Sequence, residues 1–521
     1  VRVKSGQQGT TTDADGSFSL AATATDILVF SYVGYKSQEV LVGNQTTINV
    51  SLEGSSSSLS DVVVIGYGTV KKKDLTGSVG SVNVSDMAKA PVASFAEALA
   101  GRVAGVQVSA TDGQPGAGIN ITIRGPGSLT QNTTPLYVID GIPVENPDPA
   151  TLNTEEIESM TILKDASSTA IYGSRAANGV ILIQTKRGRT GRPVVSFSTQ
   201  VGNQMKPKKM ELMSVAEFIQ YQKELNPTLA STQAFFADGK TVESYNGEKG
   251  LDLQDYLFQT GNTQKYDLSL RGGTDQTRYS VSGDYFNQVG TIINTGLKRY
   301  SGRVTLDQVI SPKFNTGVTF NYSNVNQSGQ IISQGQVAQN NPTSFVLTSA
   351  WMYRPISPFG RNDLLNDPAD AVANTSSDAR INPYISQKNQ YNYNKTSLVE
   401  ANAYIGYNIT PELSFKTVAG VRLNRLSTES FYNSNTAQAS PFNINNQNGI
   451  FGYIRNYTTN NFTNSNSFTY KKTFNKVHSV TGLALFEVSK QRYMADGYGG
   501  RLLPNENLGI NGLEEGVPFA G

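Results

Sequence analysis

From Val194 onward the chain alternates polar and apolar residues with a period of two. Lys265, Asp267, Ser269 and Arg271 interleave with Tyr266, Leu268 and Leu270. Arg299, Ser301, Arg303, Thr305 and Asp307 interleave with Tyr300, Gly302, Val304 and Leu306. Residues 313–322, 401–409 and 413–421 repeat the pattern. Side chains of a strand point alternately to its two faces, so each segment predicts a strand with one polar and one apolar face. Each runs about ten residues, the length of a tilted strand crossing a bilayer. Short links at 310–312 and 410–411 alternate with long polar ones. The longest of these, 325–390, predicts only scattered structure. Short turns on one side and long loops on the other suit an outer-membrane barrel. A soluble β-sandwich alternates as well, and the strands alone leave both architectures open.

The alternation begins only after Lys186-Arg187-Gly188. Just upstream, in 136–188, three short apolar runs (136–139, 160–163 and 180–183) are separated by glycine turns, which predicts a compact α+β unit. Residues 94–104 carry apolar positions at helical spacing with a glycine near the end. Residues 105–109 and 119–124 read as strands around a glycine-rich turn at 112–118. That turn lacks both the Gly-x-Gly-x-x-Gly order and a following Lys-Ser/Thr, so it is no phosphate loop. Residues 1–53 read as a small β-sandwich. Asp13-Ala14-Asp15-Gly16 is a turn within it, since the further ligands and closing Glu of a calcium loop are missing. Residues 54–73 form a Ser-rich linker around Asp61-Val62-Val63-Val64-Ile65-Gly66-Tyr67-Gly68. Two readings stand for this β-prone peptide: one more strand of the first domain, or an extended segment held out for a partner that binds by strand addition.

Composition narrows the field. A net charge of +2 over 521 residues gives no field for nucleic acid. With no cysteine and a single histidine, His478, thiolate and two-histidine metal sites are excluded, and no cofactor is expected. No Gly-x-Ser-x-Gly elbow is present. Glu155-Glu156 reads as a helix start whose charges complement the dipole, not as a catalytic acid pair. An enzyme is therefore not expected. No apolar run reaches the ~20 residues of a membrane helix. The 25 Tyr and 22 Phe could furnish the aromatic girdles of a barrel. Val1 falls inside a β-type pattern, which predicts a truncated start.

Tyr137-Val138-Ile139-Asp140-Gly141, Leu163-Lys164-Asp165-Ala166 and the run from Ile171-Tyr172-Gly173-Ser174-Arg175 to Gly179-Val180 resemble the SusC-like TonB-linked outer-membrane transporters of Bacteroidetes. The resemblance implies a mainly β chain laid out in four parts. Residues 1–53 would be a carboxypeptidase-regulatory-like β-sandwich, and 54–73 a linker holding a TonB box at 61–68. Residues 74–190 would be an α+β plug, and 191–521 the first half of an antiparallel transmembrane barrel of about 22 strands. It implies that residues 1–73 are periplasmic, and that TonB, with ExbB and ExbD, pairs with Asp61, Val62, Val63, Val64, Ile65, Gly66 and Tyr67. A SusD-like surface lipoprotein would lid the mouth, with outer-membrane lipid around the wall. The substrate would be an oligosaccharide, with a peptide next. Signal transduction without bulk uptake remains the alternative. The matching segments make Arg124 and Glu158 plug–barrel latch residues, with Lys164, Asp165 and Arg175 beside them. Their expected counterparts are Lys265, Asp267, Arg299, Arg303 and Asp307. Trp351, Tyr353 and Phe359 are the candidates for substrate contact in the loops.

Overall fold

A computed structural model describes the chain except residues 5–7, 14, 33–34, 36, 53–61, 66–67, 72–77, 90–91, 111–112, 129–132, 330–345, 358–363, 368–380, 444–445, 476 and 520–521, and the side chains of 62–65, 68–71 and 88. It divides into two compact units, Val1–Thr76 and Gly77–Gly521.

In the first unit, β1 (Arg2–Val3), β2 (Ile27–Phe30) and β3 (Gln38–Leu41) form an antiparallel sheet over a small core of Val3, Leu28 and Phe30. Two segments expected as strands, 17–20 and 46–52, send Phe18, Leu20, Ile48, Val50 and Leu52 into that core without joining the ladder. β4 (Val62–Ile65) and β5 (Gly68–Lys71) pair as a hairpin, Val63 opposite Val70. Asp61, Gly66, Tyr67 and the side chains of 62–65 lie outside the described residues.

The second unit opens with β6 (Val79–Val82), α1 (Val84–Ala88) and α2 (Phe95–Ala98). Ser94 caps α2 by accepting from the Glu97 N–H, and Phe95, Ala96 and Ala98 are buried. The helix expected over 94–104 stops after one turn. Gly101, at φ 71°, turns the backbone into the left-handed region there. β7 (Val106–Ala110) and β8 (Ile119–Ile123) make a separate hairpin. β9 (Leu136–Ile139), β10 (Ile142–Val144), β11 (Ile157–Leu163), the short helix α3 (Ala166–Thr169) and β12 (Val180–Thr185) follow. The central sheet runs β10-β9-β12-β11-β6, with β9 and β12 parallel. The continuous apolar runs of β9 and β12 suit strands covered on both faces, and Phe95, Leu99, Ile121, Met160 and Ile181 share their core.

Around this plug stands a sheet of ten strands, each bonded to its sequence neighbours. They are β13 (Gly191–Gln204), β14 (Gly261–Gly273), β15 (Thr277–Val289), β16 (Gly296–Ser311), β17 (Phe314–Ser328), β18 (Tyr391–Asn408), β19 (Leu413–Tyr432), β20 (Phe451–Phe474), β21 (His478–Arg501) and the brief β22 (Val517–Pro518). From β13 to β21 they hold 13 to 24 residues, more than the ten or so expected. Ten residues satisfy the lipid layer alone, and these strands run on beyond it. One rim carries the short turns at 274–276, 312–313 and 409–412, and the brief link from β20 to β21. The other carries long connections that fold: α4 (Val215–Leu225), α5 (Ala230–Ala234) and α6 (Gln254–Leu257), then α7 (Val346–Met352) and α8 (Pro383–Asn389). A capping box between Ser214 and Glu217 starts α4. Phe218 and Tyr245 meet the ring of Phe235 edge-on.

Burial in this wall is inverted relative to a soluble sheet. Arg299 and Lys265 are each 1% exposed, while Leu268, Val304, Phe320 and Phe486 are 54, 45, 47 and 67% exposed. The inward face holds the charge and the outward face is apolar, as a bilayer requires.

Candidate functional site at the plug and wall contact

The inward residues of β16 carry the contact between plug and wall. Arg299, Arg303 and Asp307 recur every four residues, so their side chains stand on one face about 13 Å apart.

Arg303 binds three plug elements at once. Its Nε donates to Glu156 Oε2 at 3.0 Å, and its Nη1 lies 3.3 Å from both Asp140 Oδ2 and Thr185 Oγ1. Each partner is placed by local sequence. Glu156 ends a 3-10 turn, Thr154–Glu156, capped by the Asn153 side chain, which accepts from the Glu155 amide. Asp140 sits in the two-residue turn between β9 and β10. There Asp140 and Gly141 both have positive φ, 51° and 89°, the mirror-image turn that Asp-Gly favours. Thr185 ends β12, and both its amide and its hydroxyl donate to Asp140, at 2.9 and 2.7 Å. Ser282 on β15 donates to the other oxygen of Glu156 at 2.8 Å.

Arg299 uses a different chemistry. Its Nε pairs with Asp284 on the neighbouring strand at 2.9 Å, and its Nη1 donates to the Ala93 and Ala150 carbonyls of the plug at 2.9 and 3.0 Å. Around it Ala93 and Ala150 cluster with Phe286, Leu297 and Val325 of the wall. Asp307 accepts from Arg187, where the chain leaves the plug, and from the Tyr404 hydroxyl, at 2.8 and 2.9 Å. On β14, Lys265 lies 3.6 Å from Glu155 and 3.7 Å from Asp267, and Asn153 donates to Asp267 at 2.5 Å. Near the upper rim two glutamines seat the glycine-rich turn: Gln114 donates to the Ser328 carbonyl and Gln327 to the Pro115 carbonyl, at 3.1 and 2.9 Å.

The structure distributes the latch candidates differently from the sequence expectation. Arg124 pairs with Asp165 inside the plug, and Asp165 also accepts from the Ser78 amide. That amide first, and then Arg124, hold the Asp165 carboxyl below its ordinary range. Lys164 donates to the Ala104 carbonyl at 2.9 Å. Glu158 pairs with Arg189 of the connector at 2.6 Å. Arg175 does reach the wall, at Glu487 on β21, 2.7 Å away. Thus the residues facing Arg303, Lys265 and Asp307 are Glu156, Asp140, Glu155 and Arg187. Glu155 and Glu156 do open a short helical turn, as their sequence suggests, and Glu156 in addition is 5% exposed and bound to Arg303. The available signal was its polarity beside the apolar run of β11, in a position that faces the wall. Among the loop candidates, Trp351 donates to Gln254 at 3.2 Å, and the Tyr353 ring is buried with its hydroxyl on the Leu364 carbonyl at 3.4 Å. Both are used within the helical layer, and Phe359 lies outside the described residues.

A folded plug latched by buried charges inside a wall with an apolar exterior defines a plugged outer-membrane β-barrel. Comparisons with known proteins agree. The TonB-dependent receptor plug domain matches residues 71–180, and the CarboxypepD_reg-like domain matches residues 1–65. TonB-dependent receptor P26 of Formosa agariphila is 34% identical over 99% of this chain and 50% of its own length. TonB-dependent receptor SusC of Bacteroides thetaiotaomicron is 38% identical over 59% of this chain and 30% of its own length. The RagAB peptide importer in its open-open state superposes with a TM-score of 0.70 at 26% identity, covering 88% of this chain and 52% of that one. This chain belongs to the SusC-like TonB-dependent receptors. It spans about half the length of the curated relatives it matches. Receptors of this family are non-enzymatic proteins of the outer membrane, with plug and N-terminal region on the periplasmic side.

Proposed function

We propose that this protein imports an organic nutrient across the outer membrane, driven by TonB with ExbB and ExbD and lidded by a SusD-like lipoprotein. The observation that carries the reading is the Arg303 junction. A charge network that is buried and closed on three plug elements holds firmly at rest, and it opens only when work is done on the plug. A passive adhesin has no use for such a seal. The handle for that work is the peptide Asp61–Tyr67, whose strand β4 pairs with β5 along one edge and, among the described residues, has its other edge open to strand addition. Arg124, Glu158, Lys164 and Asp165 serve the same seal indirectly, by holding plug segments and connector in shape, and Arg175 adds a direct pair with Glu487 of the wall. The substrate is an oligosaccharide in the first reading. The likeness to a peptide importer favours a peptide as the second.

The test is deletion of residues 61–67 from the receptor in its native outer membrane. Surface expression and substrate capture stay at wild-type level, and uptake of labelled oligosaccharides or peptides that requires the proton gradient falls to background. Uptake unchanged by the deletion would remove the TonB assignment. Which of the two labelled pools competes for uptake decides the substrate class.

A further inference from the structure

The outward face of the wall changes character along one row of cations. Lys298 is 13 residues from the end of β16 at Ser311, and Lys395 is 13 from the end of β18 at Asn408. Arg425 is 12 residues from the start of β19 at Leu413, and Lys490 and Arg492 are 12 and 14 from the start of β21 at His478. Alternation puts them on the same face as Val304, Val421 and Phe486, so they point outward. A tilted strand crosses the hydrocarbon in about ten residues, so the row falls just past its far boundary. Apolar side chains on this face agree. Between the row and the short turns, Val421, Leu423 and Phe462 are bare, 40 to 44% exposed. Beyond the row, Tyr391, Phe431 and Ile454 are covered by Leu503, Ile510 and Leu513. Apolar surface needs protein cover in water and none in lipid.

The cations of the row differ in their company. Lys395 is neutralised by Glu429 at 2.7 Å. Asp496, four residues beyond Arg492, accepts from Asn456 at 2.9 Å. Arg425, Lys490 and Arg492 have no ion pair among the described residues. Two neutral donors of β20 stand between them, Thr458 opposite Arg425 and Asn460 opposite Arg492. Strand spacing sets the Arg425 and Arg492 backbones roughly 12 Å apart, and those of Arg492 and Lys490 about 7 Å apart. Side chains of this length converge on the patch between them, and an anion there relieves their mutual repulsion. Apolar surface adjoins directly: Phe462 is opposite Lys490, and Leu423 is opposite Asn460. We infer that Arg425, Lys490 and Arg492, with Thr458 and Asn460, bind the phosphate-bearing head group of an outer-leaflet lipid. The phosphate meets the cations and donors, and the acyl chains lie along Leu423, Phe462 and Val488. A free phosphate would use only the polar half of this arrangement.

The test titrates the full-length receptor, purified in nonionic detergent, with monophosphoryl lipid A and with the same lipid stripped of its phosphate. Native mass spectrometry reads the bound lipid. The wild-type receptor is expected to prefer the phosphorylated form by at least about tenfold. Arg425→Gln combined with Arg492→Gln is expected to weaken that binding by about thirtyfold, since each cation near a head group is worth about fivefold. Lys298→Gln, in the same row but outside the patch, leaves the affinity unchanged. Equal binding of the two lipids by the wild-type receptor overturns the site, and this comparison decides even if the double variant fails to fold. Equal losses in the double variant and in Lys298→Gln also overturn it, reducing the row to unspecific attraction. Inorganic phosphate in millimolar excess distinguishes the source: full displacement of the lipid by phosphate overturns the lipid assignment, and retention supports it. The measurement involves neither TonB nor transport, so its failure is separate from failure of the import reading.

Discussion

At the residue scale, Arg303 concentrates the energetics. Its guanidinium faces two carboxylates in a place where each is nearly out of water. Such a pair contributes little net stability against apolar residues of the same shape, yet breaking it from one side strands a buried charge. Arg303→Ala is therefore expected to weaken plug seating by about 3–5 kcal/mol. Hydrogen exchange across β11 and β12 would accelerate accordingly, while exchange in β20 and β21 would not change. Wild-type exchange in the plug would show that the junction does not hold it. Glu156→Gln, which keeps a hydrogen-bond acceptor, should have a smaller effect. Little of this was legible beforehand. Alternation placed Arg303, Arg299, Asp307 and Lys265 on one inward face, because strand periodicity is a local property. Partner choice is not local. Glu156 lies 147 residues from Arg303, and a sequence gives no register between a plug and a wall.

At the scale of elements, strands were easier to read than helices. β9, β11 and β12 stand where the apolar runs are, since burial on both faces leaves an unbroken hydrophobic signature. The helix expected over 94–104 shrank to α2 because glycine dihedrals outweighed apolar spacing. The connector between plug and wall shows how close the fit becomes. At Gly188 an added methyl group would overlap the backbone of Arg278 and Tyr279 at the start of β15. Gly188→Ala should cost about 1–3 kcal/mol, the usual penalty of overpacking, because backbone cannot rotate aside as a side chain can. The expected result is a lowered plug-release temperature in calorimetry with unchanged barrel melting. An unaltered first transition would contradict the packing.

On the scale of the whole molecule, the wall is a soluble fold turned inside out. Sequence alternation could not choose between sandwich and barrel, because it marks two faces without saying which one meets water. Burial makes the choice: charge inside, Val304 and Phe320 outside. Val304→Arg is expected to destabilise the barrel in lipid by about 2–4 kcal/mol if the site lies near the bilayer midplane. Refolding into vesicles across a urea series measures this directly. A shift below 0.5 kcal/mol, the range of an ordinary surface change, would mean the face is not in lipid.

The pairing register has a consequence for the outer rim. Followed from strand to strand, the level of Gly273 at the foot of β14 meets Ser465 on β20, and β20 continues for nine residues past it to Phe474. The level of Asn262 at the head of β14 meets Tyr498 on β21, three residues short of its end at Arg501. If the short turns lie in one plane, as a membrane surface demands, the register climbs as it goes round. At about 2.5 Å of height per tilted residue, the far crest stands roughly 30 Å above the near one. The mouth is cut on a slant. Anything that covers it meets a tall back wall at β20 and β21 and a low front at β14, and so tips toward the front.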